Sequence, residues 1–209
     1  MKKLFIFPYN GNGLEALDCI REEYEFIGFI DDVQEKQGIQ EQGVAVFSRE
    51  MLQKYKEARV LAVPGSPSTY LHRARIIQDL GLPEDRFATI IHPCARISSF
   101  AKIGYNVLIM AGVVITSNAY IENHVCILPN TVIHHDVHVG AYSLVGSNTT
   151  IAGFVNIGKN CYIGSGSKLK DHIEIGEHSL IGIGTNVIRS LPQKSKAVGN
   201  PARIIGDVP

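Results

Sequence analysis

Ile97, Ile103, Ile109, Ile115, Ile121, Ile127, Ile133, Val139, Val145, Ile151, Ile157, Ile163, Leu169, Ile175, Ile181 and Val187 set an aliphatic side chain at every sixth position, without a slip, across residues 95–188. Two residues ahead of these sites stand small or β-branched residues, among them Ala95, Ala101, Val107, Val113, Ala119, Thr131, Ser143, Thr149, Cys161 and Ser179. Glycine often follows directly, at Gly104, Gly140, Gly146, Gly158, Gly164, Gly176 and Gly182. A period of six is neither the 3.6 of a helix nor the two of a simple strand. It fits a coil with three flat faces of six residues each. The aliphatic residue and its i−2 neighbour point to the axis, and glycine relaxes the corner. Stacked coils then bury a continuous column that no single coil could bury alone, at the usual inter-strand spacing of about 4.8 Å. The expected fold of this half is a parallel β-helix.

The preceding residues alternate differently. Leu4–Phe7 reads as a buried strand, followed by the turn Pro8-Tyr9-Asn10-Gly11-Asn12-Gly13 and a helix over 14–24. Phe26–Ile30 reads as a second strand ending in Asp31-Asp32, and residues 33–43 as a loop. Val44–Phe47 follows as a short strand, then a helix capped by Ser48 and running to Tyr55. Val60–Val63 is a strand closed by Pro64-Gly65-Ser66-Pro67. A helix over 69–80, with Leu71, Ala74 and Ile77 inward, ends at Gly81, and Phe87–Ile91 is a last strand. Strand and helix in alternation predict a small α/β domain with a parallel sheet. Ligands of such sheets lie beyond the carboxyl ends of the strands, where the turns at 8–13, 31–32 and 64–67 all fall. Beyond the solenoid, 191–196 reads as a loop and Val198–Arg203 as the closing segment.

The 209 residues carry twenty basic and twenty acidic side chains. That balance gives no support to a nucleic-acid or membrane-surface partner. Cys19, Cys94, Cys126 and Cys161 are far apart and read as reduced cytoplasmic thiols. The apolar opening before Pro8 is too short for a signal peptide, and no apolar run reaches the roughly 20 residues of a membrane span.

Several motifs together resemble the bacterial sugar O-/N-acyltransferases of the hexapeptide-repeat type, which include sialic acid O-acetyltransferases and UDP-4-amino-sugar N-acetyltransferases. They are the glycine turn near Gly11, Phe29-Ile30-Asp31-Asp32, the linker Ile91-His92-Pro93-Cys94-Ala95-Arg96-Ile97-Ser98, Ile133-His134-His135-Asp136, Ala152-Gly153, and Gly199-Asn200-Pro201-Ala202-Arg203. The resemblance implies a Rossmann-like domain over 1–90 that holds a nucleotide-linked or free acidic sugar. A left-handed β-helix over 91–209 would follow. Crossover statistics alone would favour the right hand, so the left hand rests on the resemblance.

By the same resemblance the protein is a cytoplasmic, acetyl-CoA-dependent homotrimer with no metal. His135 is the general base, a role suited to imidazole near neutral pH, and Asp136 supports it. Gly153, one coil on, supplies an oxyanion donor. Ser165 and Ile183, again one coil apart, belong to the inter-subunit coenzyme A groove with Leu144. Asn10, Gly11, Asn12, Asp31, Asp32 and Gly65 would contact the acceptor. Glycines permit close backbone approach to a phosphate, and an acid after the second strand suits a ribose or base edge.

The chain also departs from the family pattern. Leu144 stands where amino-sugar acetyltransferases carry a second histidine, Leu128 where some carry asparagine, and Asn12 where a histidine meets the acceptor. N-acetylation of a nucleotide-linked amino sugar is the leading expectation. O-acetylation of a sialic-acid-like sugar and a non-catalytic, sugar-nucleotide-binding trimer stand beside it. His124, His138, His172 and His178 are read as scattered over the coil surface, without the spacing of a zinc-binding β-helix hydrolase.

Overall fold

The computed structural model describes residues 1–40 and 43–208. Its larger part is a three-faced parallel β-helix of two-residue strands. The first face stacks 96–97, 114–115, 132–133, 150–151, 168–169 and 186–187. The second stacks 102–103, 120–121, 138–139, 156–157 and 174–175. The third begins at Ile90–Ile91 and continues through 108–109, 126–127, 144–145, 162–163 and 180–181. Each strand pairs in parallel with the one a coil away, as Val114 with Val132 and Ile115 with Ile133. This pattern fits the left-handed β-helix that the resemblance implied.

The interior is the column read from the sequence. From Ile109 to Val187 every sixth-position aliphatic is at most 2 % exposed, and Thr131, Ser143, Thr149 and Ser179 two residues earlier are fully buried. These hydroxyls are satisfied by the ladder: Thr131 donates to the Gly146 carbonyl at 2.8 Å and Ser143 to that of Gly158 at 3.1 Å. From Asn106 to Gly184 the chain turns each corner through a left-handed residue three positions after the core site. Asn106, Asn118, His124, Asn130, Asp136, Tyr142, Asn148, Phe154, Asn160, His172 and His178 all have φ between 52° and 63°. Asn, Asp and His tolerate that region better than most side chains. The glycines after the core sites have another purpose than relaxing the corner. A Cβ on Gly146 would lie 2.4 Å from the Ser165 nitrogen, and one on Gly140 2.6 Å from the Gly158 carbonyl carbon. They let successive coils approach closely.

The amino-terminal part is a sheet of strands β1 (Lys2–Phe7), β2 (Tyr24–Ile30), β3 (Gly38–Ile39), β4 (Ala45–Phe47) and β5 (Arg59–Ala62), ordered β3-β4-β2-β1-β5. All pairs are parallel except β3 with β4. Alternate side chains of β1 divide two cores. Leu4 and Ile6 pack with Leu108, Met110, Cys126 and Leu144 on the outside of the third solenoid face. Phe5 and Phe7 pack with Leu52, Val60 and Ile77 under the helices. No helix among the described residues is long and apolar enough to cross a membrane.

Local boundaries differ from expectation. The first helix starts earlier and is shorter, α1 at Gly11–Glu15 running into a 3-10 turn at Ala16–Cys19, because Asn10 accepts the Gly13 amide at 2.8 Å and starts the turn there. Helix α2 (Glu50–Lys54) has no side-chain cap, so Ser48 does not serve as one. Residues 34–36 and β3 break the expected 33–43 loop, whose residues 41 and 42 lie outside the described residues. Ile90–Ile91 joins the solenoid ladder through Leu108–Ile109. At the far end Ser195–Val198 extends the third face and pairs antiparallel with Arg203–Asp207, where a loop and closing segment were expected.

Helix α3 (Arg73–Gln78) shows the largest surprise. It buries Arg73 and Ile77, whereas Leu71 and Ala74 are only part-buried. Arg73 is 0 % exposed and has no carboxylate partner among the described residues. Its guanidinium donates instead to three carbonyls, those of Pro64, Tyr142 (3.0 Å) and His124 (2.7 Å). His124, expected at the surface, is 4 % exposed. Burial and nearby Arg73 push its pKa down to about 4, and its Nδ1 meets Asn106 Nδ2 at 2.9 Å. Asn106 in turn pairs with both backbone groups of Ala62, at 2.7 and 3.0 Å. One arginine and one asparagine therefore bolt the end of β5 to a solenoid corner. Replacing Arg73 by Ala leaves a cavity and strands three buried carbonyls, so a loss of at least about 3 kcal/mol is expected. Urea unfolding should show it as a lower midpoint with unchanged slope. A loss below about 1 kcal/mol would mean that water replaces the arginine without cost.

Candidate functional site

His135 and Asp136 sit at the corner between the first and second faces. The corner's left-handed turn, with Asp136 at φ 59°, turns the carboxylate back on its neighbour. Asp136 Oδ2 lies 2.8 Å from His135 Nδ1. A carboxylate only accepts, so Nδ1 carries a proton, and in the neutral ring Nε2 keeps its lone pair. One coil earlier, Asn118 donates to the other oxygen, Asp136 Oδ1, at 3.1 Å. The two hydrogen bonds, His135's first, hold the Asp136 carboxyl below its ordinary pKa.

Gly153 lies one coil beyond His135 and directly against its ring. A Cβ there would come 2.7 Å from Cε1 and 2.9 Å from Nε2. The absent side chain is thus what lets the imidazole lie flat on the next coil. Its carbonyl accepts from His172 N at 3.1 Å, and among the described residues its amide makes no backbone hydrogen bond. Phe154 flanks the imidazole edge-on at 5.2 Å and stacks on His172 at 4.6 Å.

A second site opens between the sheet and the third solenoid face, a cleft of about 790 Å³. Asn10, Gly11, Asn12, Asp31, Asp32 and Gly65 all line it. The three turns after β1, β2 and β5 do converge, as their place beyond the strand ends required. Their side chains are not all free. Asp31 is 3 % exposed and accepts from Tyr9 N, Val33 N and Lys36 Nζ at 3.0–3.1 Å. Asp32 is held by Arg49 through two contacts of 2.6 and 2.7 Å. Gly65, at φ 121°, is needed partly for packing, since a Cβ would meet Arg73 at 2.8 Å.

The remaining expected residues divide. Leu144 is 2 % exposed and forms the solenoid wall of the cleft with Leu128 and Tyr162. Ser165, whose Oγ accepts the Ser147 amide at 3.1 Å, and Ile183, 78 % exposed, occupy the corner between the third and first faces. Sequence reasoning passed over Asn118, Phe154, Lys36, Arg49 and Tyr162. For Asn118 the signal was present: it stands one coil of eighteen before Asp136. Among the described residues no group of three or more His, Cys, Asp or Glu could hold a metal ion.

With the fold and both sites in view, likeness to known proteins can be read. The family described as the GMPPB C-terminal domain matches residues 87–175. PerB from Caulobacter crescentus, solved with CoA and GDP-perosamine, superposes with a TM-score of 0.84 at 26% identity, covering 99% of this chain and 98% of that one. The acetyltransferase domain of PglB from Neisseria gonorrhoeae gives 0.85 at 22% identity over 98% of this chain and 100% of its own. WeeI from Acinetobacter baumannii gives 0.83 at 22% identity, with the same coverage of 98% and 100%. PglB and WeeI share the fold. No curated protein matches the chain by sequence. The chain shares the fold of PerB and spans nearly the whole of that chain.

Removing Asn118's amide in Asn118→Ala should let the Asp136 carboxyl titrate at higher pH, since one of its two stabilising donors is gone. Carboxyl-carbon NMR titration reads this directly. An unmoved Asp136 titration would show that Asn118 does not act on it.

Proposed function

We propose that the protein transfers the acetyl group of acetyl-CoA to an amino group of a nucleotide-linked amino sugar. What carries this reading is the His135–Asp136 pair lying against Gly153, in a chain that follows PerB over nearly its whole length. PerB was solved with CoA and GDP-perosamine, and the PglB domain with acetyl coenzyme A. His135 Nε2 takes a proton from the acceptor amine as its nitrogen attacks the thioester carbon. The C–S bond breaks, and the departing thiolate takes up a proton. Asp136 fixes the ring and supports the imidazolium that forms. The Gly153 amide, without a backbone partner, stabilises the oxyanion.

In this reading residues 1–90 form a Rossmann-like domain whose cleft takes the nucleotide sugar, and residues 91–209 a left-handed acyltransferase solenoid. Asn10, Gly11, Asn12 and Gly65 approach the nucleotide, while Asp31 and Asp32 shape the cleft through Lys36 and Arg49. Ser165 and Ile183 lie on a different corner from His135. A coenzyme touching both sets runs between neighbouring solenoids, which supports a homotrimer. The exposure of Ile183 and of Phe154 (50 %) agrees with coverage by a neighbour. Leu144 belongs to the acceptor wall rather than the coenzyme groove. The use of acetyl-CoA in this reading supports a cytoplasmic location.

His135→Ala should lower kcat by about 10²–10⁴ with the correct acceptor, in a coupled assay of thiol release against GDP-, UDP- and dTDP-linked amino sugars. Full turnover by that variant sinks the mechanism. Gly153→Ala should push the imidazole aside and cost kcat while leaving the acetyl-CoA KM within about twofold, the signature of misplaced catalytic geometry. An unchanged kcat would show that the ring does not need the bare coil beneath it.

A further inference from the structure

The cleft has two unlike walls. The sheet side is polar, with Asn10, Asn12, Asp32, Arg49 and Ser66. The solenoid side is Leu128, Leu144 and Tyr162, so among the described residues one phenol is its only polar side-chain group. Tyr162 stands directly beside Leu144, one coil on, in the same ladder. Its ring packs against Tyr70 at 5.9 Å. The two hydroxyls differ: Tyr70 donates to the His178 carbonyl at 2.9 Å, whereas the Tyr162 hydroxyl has no hydrogen-bond partner among the described residues. Tyr162 is only part-buried and lines the cleft, so its hydroxyl is open to an acceptor that a ligand supplies. Burial also raises the Tyr162 pKa, so the group keeps its proton and donates.

Resting on the nucleotide-sugar reading above, we infer that Tyr162 binds the acceptor by donating a hydrogen bond to its sugar ring. The direction of the ligand follows from the layout. The nucleotide lies among the turns that end β1, β2 and β5. With the nucleotide at the strand ends, the sugar extends across the cleft to its other wall, the third solenoid face; His135, at the corner between the first and second faces, would reach it from a neighbouring solenoid of the proposed homotrimer. On that third face Leu128 and Leu144 offer only apolar contact, and the hydroxyl between coils is the one donor available to a sugar oxygen. Specificity for the sugar is thus read from the solenoid, and affinity for the nucleotide from the sheet.

Tyr162→Phe keeps the ring and its packing and removes only the hydroxyl. Calorimetry would compare GDP-, UDP- and dTDP-linked 4-amino sugars, each with its free nucleoside diphosphate, on wild type and variant. For the pair that wild type binds, the variant should weaken the nucleotide sugar about three- to tenfold, the worth of one neutral hydrogen bond. The nucleoside diphosphate should bind both proteins equally, and the KM for acetyl-CoA should hold. Equal sugar affinity in the two proteins overturns the role of Tyr162 and leaves the nucleotide-sugar reading standing. Equal weakening of sugar and diphosphate overturns it too, because the hydroxyl would then serve the nucleotide or the cleft wall. If wild type binds none of the pairs, both readings fall together.

Discussion

The hydrogen-bonded ladder between one coil and the next is the constraint on which everything else depends. Each strand is only two residues long, too short to persist alone. It exists because the strands eighteen residues before and after it are in register on either side. Register in turn demands a left-handed residue at the same point of every turn, and close approach at the position after the core site. Those two demands explain why Asn recurs at the corners and Gly after many of the core sites.

The same ladder builds the His135–Asp136 corner from ordinary parts. Asp136 occupies one of the left-handed positions, so its carboxylate is oriented by the turn rather than by a dedicated support. Asn118, Asp136 and His135 form a relay across two coils. Gly153 on the third leaves the room in which the ring lies. Nothing in this arrangement is an insertion or a loop. The site is rigid because it belongs to the repeat.

Much of this was legible in the chain. The column of aliphatic residues has one period that only a solenoid satisfies, and the i−2 partners follow from the same geometry. The parallel sheet and the convergence of its three turns also follow from pattern. Other features were not legible, because they depend on segments distant in sequence. Arg73 reads as a surface helix residue; only the carbonyls of Pro64, His124 and Tyr142 make its burial possible. His124 has the same history, a polar residue at a corner that the amino-terminal sheet covers. That Leu144 lines the cleft beside the amino-terminal sheet is likewise illegible, because motif position says nothing of which face a distant segment covers. The engagement of Asp31 by the Tyr9 and Val33 amides and by Lys36 is illegible too, because it depends on how the turns after β1 and β2 fold together.

A solenoid with one strict period has a consequence for how such a chain can change its length. Dropping a single residue at, say, 140 would shift every later aliphatic out of the interior and each asparagine out of its bend. Dropping six would restore the interior but move His135's stacked neighbour to another side of the triangle. Only gains or losses of whole eighteen-residue turns keep all columns aligned, and even these, placed between His135 and Gly153, would pull the two apart. Evolutionary drift in size is therefore channelled to the ends of the rod and to the sheet that leans on it.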